Sequence, residues 1–228
     1  MIVKIVTLHP LHRQEIALKF SELLKDADFI PERIGKDKPL TQAYSQQAFL
    51  QLWTAEEKGY ENIEIDHMMG TAGGMLGETS DPDFLFTIDW MDQPHQASLN
   101  YITFFLPTEA FHGHRDAIMK LFKETILLVN GIYGYMTDDM PSERQHTLGT
   151  LETRLPGVYW CNYFGKPYVD FFSERRLTDF SWQEIERLSN GGVLAYLTAQ
   201  PDQELLRTDE LEIVAKQYLG EVTLADVV

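Results

Sequence analysis

Cysteine and positive charge are what this sequence has least of. A single cysteine, Cys161, among 228 residues excludes an intrachain disulfide and fits a reducing cytosol; set among aromatics, it reads as a small core residue rather than a nucleophile. Lysine plus arginine number 19 against 35 aspartate plus glutamate, a formal net charge of −16. That field has the wrong sign for a phosphate backbone, so no nucleic-acid partner is expected. No apolar run approaches the roughly 20 residues that a membrane-spanning helix needs, so no membrane partner is expected either. The opening stretch Met1-Ile-Val-Lys-Ile-Val-Thr-Leu-His-Pro10 has a broken apolar run and no small-residue cleavage site after it, and reads as a first strand. These absences together predict a cytoplasmic protein.

Motifs for chemistry are also scarce. Gly70-Thr-Ala-Gly-Gly-Met-Leu-Gly77 matches neither phosphate-binding glycine spacing, no lysine follows it, and Glu78 and Asp81 stand close by, so it reads as a flexible loop. No serine sits in G-x-S-x-G. His112-Gly-His114 with Asp116, and His9 with His12, offer imidazoles but no third ligand at a recognised spacing, so neither a metal nor a cofactor is expected. Asp81-Pro-Asp83, Asp89 with Asp92, and Asp138-Asp139 become catalytic carboxylates only where the fold raises a pKa; solvated loop ends explain them more simply. An enzyme, the competing class, would have to work through the 112–116 region or these acidic loops.

What the chain has in abundance is apolar and aromatic surface, 44% and 12% of residues, enough for a full core. Apolar positions at helical spacing follow Pro10 (Ile16, Phe20, Leu23, Leu24, Ala27), recur over 41–58, and are most regular at Ile118, Leu121, Phe122, Thr125, Leu128 and Val129, where Asn130-Gly131 supplies a stop. Phe84, Phe86, Ile88 and Trp90 alternate with Leu85, Thr87 and Asp89, the period of a strand with one deeply buried face, and 99–106 is a second such strand. Strands are also expected at 62–66, 132–136 and 158–164. Over 181–198 a helix-capping pattern competes with Ser-Asn-Gly-Gly between two apolar runs, and the hairpin is favoured. Leu211, Val214, Ala215, Tyr218 and Leu219 predict a closing amphipathic helix. This order predicts an α+β fold, a mixed, largely antiparallel sheet with amphipathic helices packed on it. The chain reads as one domain over 1–228, or as two lobes joined near 137–150.

The densest aromatic stretch, Leu155-Pro-Gly-Val-Tyr-Trp-Cys-Asn-Tyr-Phe-Gly-Lys-Pro-Tyr-Val, followed by Asn190-Gly-Gly-Val-Leu-Ala-Tyr-Leu-Thr198, resembles the C-terminal half of immunity proteins from bacterial polymorphic toxin systems, the type VI immunity family and the immunity protein 52 family. The resemblance implies a bacterial cytosolic protein that binds and silences a protein toxin and has no catalysis of its own. The negative field suits a basic toxin. Loop carboxylates Asp81, Asp83, Asp138, Asp139 and Glu143 are the expected contacts.

Overall fold

The computed structural model describes residues 1–57, 70–93, 97–138, 157–201 and 205–220, the last five-residue stretch before 210 as backbone only. Among them ten strands pair antiparallel in one open sheet: β1 (Ile2–Thr7), β2 (Arg33–Gly35), β3 (Gln42–Ala43), β4 (Thr71–Ser80), β5 (Asp83–Asp92), β6 (Asn100–Phe105), β7 (Tyr133–Thr137), β8 (Cys161–Phe164), β9 (Glu184–Arg187) and β10 (Val193–Tyr196), in the order β3-β2-β4-β5-β6-β1-β7-β8-β10-β9. Seven helices accompany them: α1 (Gln14–Asp26), α2 (Gln46–Thr54), α3 (Thr108–Gly113), α4 (Arg115–Val129), α5 (Lys166–Phe172), α6 (Glu174–Asp179) and α7 (Leu205–Leu219). The fold is α+β, as composition and periodicity indicate. Pairing of β7 with β8 carries the sheet across the 137–150 segment, of which residues 139–150 lie outside the described set, as does the strand expected at 62–66.

One face of the sheet is covered by α1 to α4. Val3 and Ile5 of β1, Phe84, Phe86, Ile88 and Trp90 of β5, Ile102 and Phe104 of β6, Met136 of β7, and Tyr163 of β8 pack there with Phe20 of α1, Phe49 and Trp53 of α2, and Ile118, Leu121 and Phe122 of α4. Directional bonds lock the aromatics: Trp53 Nε1 donates to the Leu11 carbonyl at 2.5 Å, and Trp90 Nε1 donates to the Trp53 carbonyl at 2.8 Å. The helix start at α2 is capped by Ser45, whose hydroxyl accepts from the Ala48 amide. Its end is held by Lys36, whose ammonium donates to the carbonyls of Ala55 and Gly74. Helix α4 ends as its sequence indicates, except that Asn130, not Gly131, takes the left-handed turn, at φ 48°.

The glycine-rich stretch expected to be a loop is instead β4, a full partner of β5. Gly73 lies opposite Trp90 and Gly77 opposite Phe86; a Cβ at either would stand 2.3 Å from Trp90 Cζ2 or 2.4 Å from Phe86 Cζ. The glycines therefore leave room for the rings of the neighbouring strand to lie across the backbone, a packing role that local propensity does not reveal.

The second face is covered by α5, α6 and α7 over β7, β8 and β10, where Tyr133, Phe164, Tyr168, Val169, Phe172, Leu177, Val193, Ala195, Ala215 and Leu219 form a separate core. Strand β8 begins three residues later than 158 because Asn162 closes a turn on itself: its side chain accepts from the Tyr159 amide at 2.8 Å and donates to the Tyr159 carbonyl at 2.6 Å. The hairpin of β9 and β10 forms around Asn190-Gly-Gly192. Helix α7 turns Leu211, Ala215 and Leu219 of the expected stripe to the second core but leaves Val214 and Tyr218 exposed. Glu212, Ala215 and Leu219 are buried, while Val214 is 52% exposed. Arg176 holds the helix end by donating to the carbonyls of Tyr218 and Leu219.

Candidate functional site

Three of the five carboxylates expected to make contacts can be placed. Asp81 and Asp83 are exposed in and beside the turn between β4 and β5. Asp138 follows β7 and is half-buried. Register brings all three to one end of the sheet, since Phe105 pairs with both Leu85 and Ile2, and Ile2 pairs with Thr137. Three interstrand steps separate Asp83 from Asp138, about 14 Å. Between them lies the N-terminal ammonium, which donates to the Leu106 carbonyl at 2.8 Å. Burial lowers its pKa, and Asp138 and Glu109 oppose that shift. Asp139 and Glu143 lie outside the described residues.

The histidine region is built as a helix junction. His112, His114 and Asp116 line an open cavity of about 490 Å³ between α3 and α4. His114 Nδ1 lies 3.1 Å from the Ala110 carbonyl, its ring edge-on to Phe29, while Arg115 donates to the Ala199 carbonyl at 3.0 Å and spreads over Trp160. Among the described residues no three histidine, cysteine or acidic side chains converge on a point where a metal could sit. Cys161 is buried and burial pushes its thiol pKa well up, so no thiolate is available there.

Where the structure does place perturbed groups together is the second face of β1, β5 and β6. Alternation turns Lys4, Thr87, Asp89, Tyr101 and Thr103 to this side, opposite the aromatic core, with Tyr101 paired directly to Asp89 and Thr103 to both Lys4 and Thr87. The Lys4 ammonium stands 4.5 Å from the Tyr101 ring centroid. Desolvation lowers the Lys4 pKa, with the Asp89 charge opposing it. Asp89 is exposed along one edge yet set deep enough that desolvation raises its pKa; the Thr87 hydroxyl, donating to Oδ2 at 3.3 Å, and Lys4 pull it back, and Glu57 raises it further. The Tyr101 hydroxyl is pushed up to about 12 by burial and by Asp89, and it is buried with no hydrogen-bond partner.

Sequence reasoning passed over this cluster. Lys4 sits inside an apolar strand, Tyr101 and Thr103 are ordinary strand residues, and Asp89 was grouped with Asp92 as a loop end although it lies within β5. The available signal was the polar half of each alternating strand. Chemically the cluster sets a partly desolvated carboxylate, a phenol and an ammonium side by side on one face of the sheet.

No protein-family model matches the chain, and no curated protein matches it in sequence. Among solved structures it is similar to the Pseudomonas aeruginosa T6SS protein PA0821, at 13% identity and a TM-score of 0.57, with 96% of this chain and 71% of that chain covered. At that identity the two proteins share a fold.

Proposed function

We propose that this protein is an immunity protein: in the setting of a type VI secretion system it binds a cognate toxin, a basic protein, and neutralises it by direct contact, without catalysis of its own. The observation that carries the reading is the likeness of fold to a T6SS protein over 96% of this chain. The resemblance of residues 155–198 to toxin-immunity proteins and the net charge of −16 support it independently. Action in the cytoplasm is part of the proposal, and the buried free thiol of Cys161 is compatible with it. No helix among the described residues is long and apolar enough to cross a membrane.

Electrostatic steering would give such a binder fast capture, with an association rate that falls steeply as the Debye length shrinks from about 30 Å at 0.01 M salt to about 8 Å at 0.15 M. The test is co-expression with the product of the adjacent toxin gene. Survival of cells that otherwise die, with a one-to-one complex recovered in vitro, is the expected result. Equal killing with and without this protein, and no complex, contradicts the reading.

A further inference from the structure

We infer that the face of β4, β5, β6 and β1 opposite the main core receives the partner, and that its occupant is a basic protein that sets an arginine or lysine side chain against Asp89. The inference rests on the proposed neutralising function and names its contact surface.

Coverage is the first argument. Among the described residues α1 to α4 pack on one side of the sheet and α5 to α7 on the other, where the second core runs over β7, β8 and β10 and reaches Val6 of β1 and the Tyr101 ring of β6. Beyond that border the second side of β4, β5 and β6 carries half-exposed apolar residues, Leu76, Leu85, Met91 and Phe105, beside Thr87 and Asp89, with Lys4 and Tyr101 at the edge of the second core. Half-exposed apolar residues beside a tyrosine supply the apolar area and the aromatic group that interfaces are enriched in, and the charged groups next to them supply polarity for a rim.

Charge decides between occupants. Among the described residues each cation near this face is already engaged: Lys36 by two carbonyls, Arg33 by the Leu40 carbonyl, Lys38 by Glu78, and Lys4 by the Tyr101 ring. Among the described residues no cation comes within salt-bridge distance of Asp83, Asp89 or Glu57, and Asp89 feels the Lys4 charge only at longer range. The surplus is therefore negative. A second copy, itself carrying −16, would bring like charge to like, and nucleic acid would be repelled, whereas an arginine or lysine would meet the exposed Asp89 carboxylate.

The test uses the catalytically silenced product of the adjacent toxin gene as the probe and compares Asp89→Lys with Asp26→Lys. The second variant makes the same charge change at the exposed end of α1, on the opposite side of the sheet. Asp89→Lys is expected to weaken binding roughly 100-fold or more, chiefly through faster dissociation, and Asp26→Lys by only a few fold through slower association. Asp89→Asn, which removes charge without adding any and is expected to fold normally, should fall between them. Equal affinities for the two lysine variants, with wild-type binding intact, overturn the contact face while leaving the neutralising function standing. No wild-type binding overturns both. Light scattering that shows a wild-type dimer lost in Asp89→Lys assigns the face to a second copy and contradicts the inference.

Discussion

Strand β5 compares two environments one residue apart. Phe84, Phe86, Ile88 and Trp90 point into the helix-covered core and are almost completely buried, while Leu85, Thr87, Asp89 and Met91 point the other way and keep contact with solvent. On the first side every ring has neighbours: Phe86 meets Phe20, Phe49 and Phe84, and its opposite glycine makes the space. On the second, among the described residues, Asp89 has the Lys4 charge nearby but no cation within salt-bridge distance, and the Tyr101 hydroxyl is buried without a hydrogen-bond partner. One side is packed for folding, and the other carries the groups that the proposed partner would satisfy.

The sharpest way to break this comparison is to shorten neighbouring side chains on the two sides. Phe86→Ala removes a fully buried ring and should cost about 3–5 kcal/mol in denaturant unfolding, while Leu85→Ala, half-exposed, should cost less than about 1 kcal/mol. Equal losses would mean that the second side is as well packed as the first. Gly77→Ala comes next, at about 1–3 kcal/mol, because its Cβ would lie 2.4 Å from Phe86 Cζ. Combining it with Phe86→Leu should recover part of the loss; simple additivity would show that the ring is not what the glycine accommodates.

Smaller in energy, but informative in sign, is Asp89→Asn. The folded-state pKa of Asp89 is raised above its unfolded value, chiefly by desolvation, so its proton is held more tightly when folded. The associated stability is present below the ordinary aspartate pKa and is lost as pH rises through the folded value. Because Asp89 is exposed enough for water to screen its charge, the amide should be only slightly more stable than wild type at neutral pH, by less than about 0.5 kcal/mol, and should flatten the pH dependence just above the ordinary aspartate range. A destabilised amide would make Asp89 a structural residue. The least effect is expected from changing His112 and His114 together to alanine, which should alter neither neutralisation nor the metal content found by elemental analysis. Stoichiometric zinc lost in that variant would reopen the enzyme class.

Much of this architecture was legible from period alone. The three-four spacing of α4 and the strict alternation of β5 each bury a continuous stripe, and burial dominates such patterns. The glycine strand β4 was not legible, because its reason for existing is the ring of a partner strand. Nor was the exposure of Val214 and Tyr218 on α7, whose end Arg176 holds from another helix. The acidic residues at the sheet end were visible as loop carboxylates, yet the Lys4–Asp89–Tyr101 cluster was not. Its members lie 97 positions apart at the extremes, 101 − 4, and only the β1–β6–β5 register joins them.

The central claim, that one side of β5 is kept for a partner, is tested most directly by oxidative side-chain footprinting of the protein alone and in complex with the silenced toxin. Met91, Tyr101 and Phe105 should lose severalfold in labelling on complex formation, while Phe171 and Tyr218, exposed on the helices of the other half, should not change. Protection of Phe171 and Tyr218 with Met91 and Phe105 labelled as before would contradict the account.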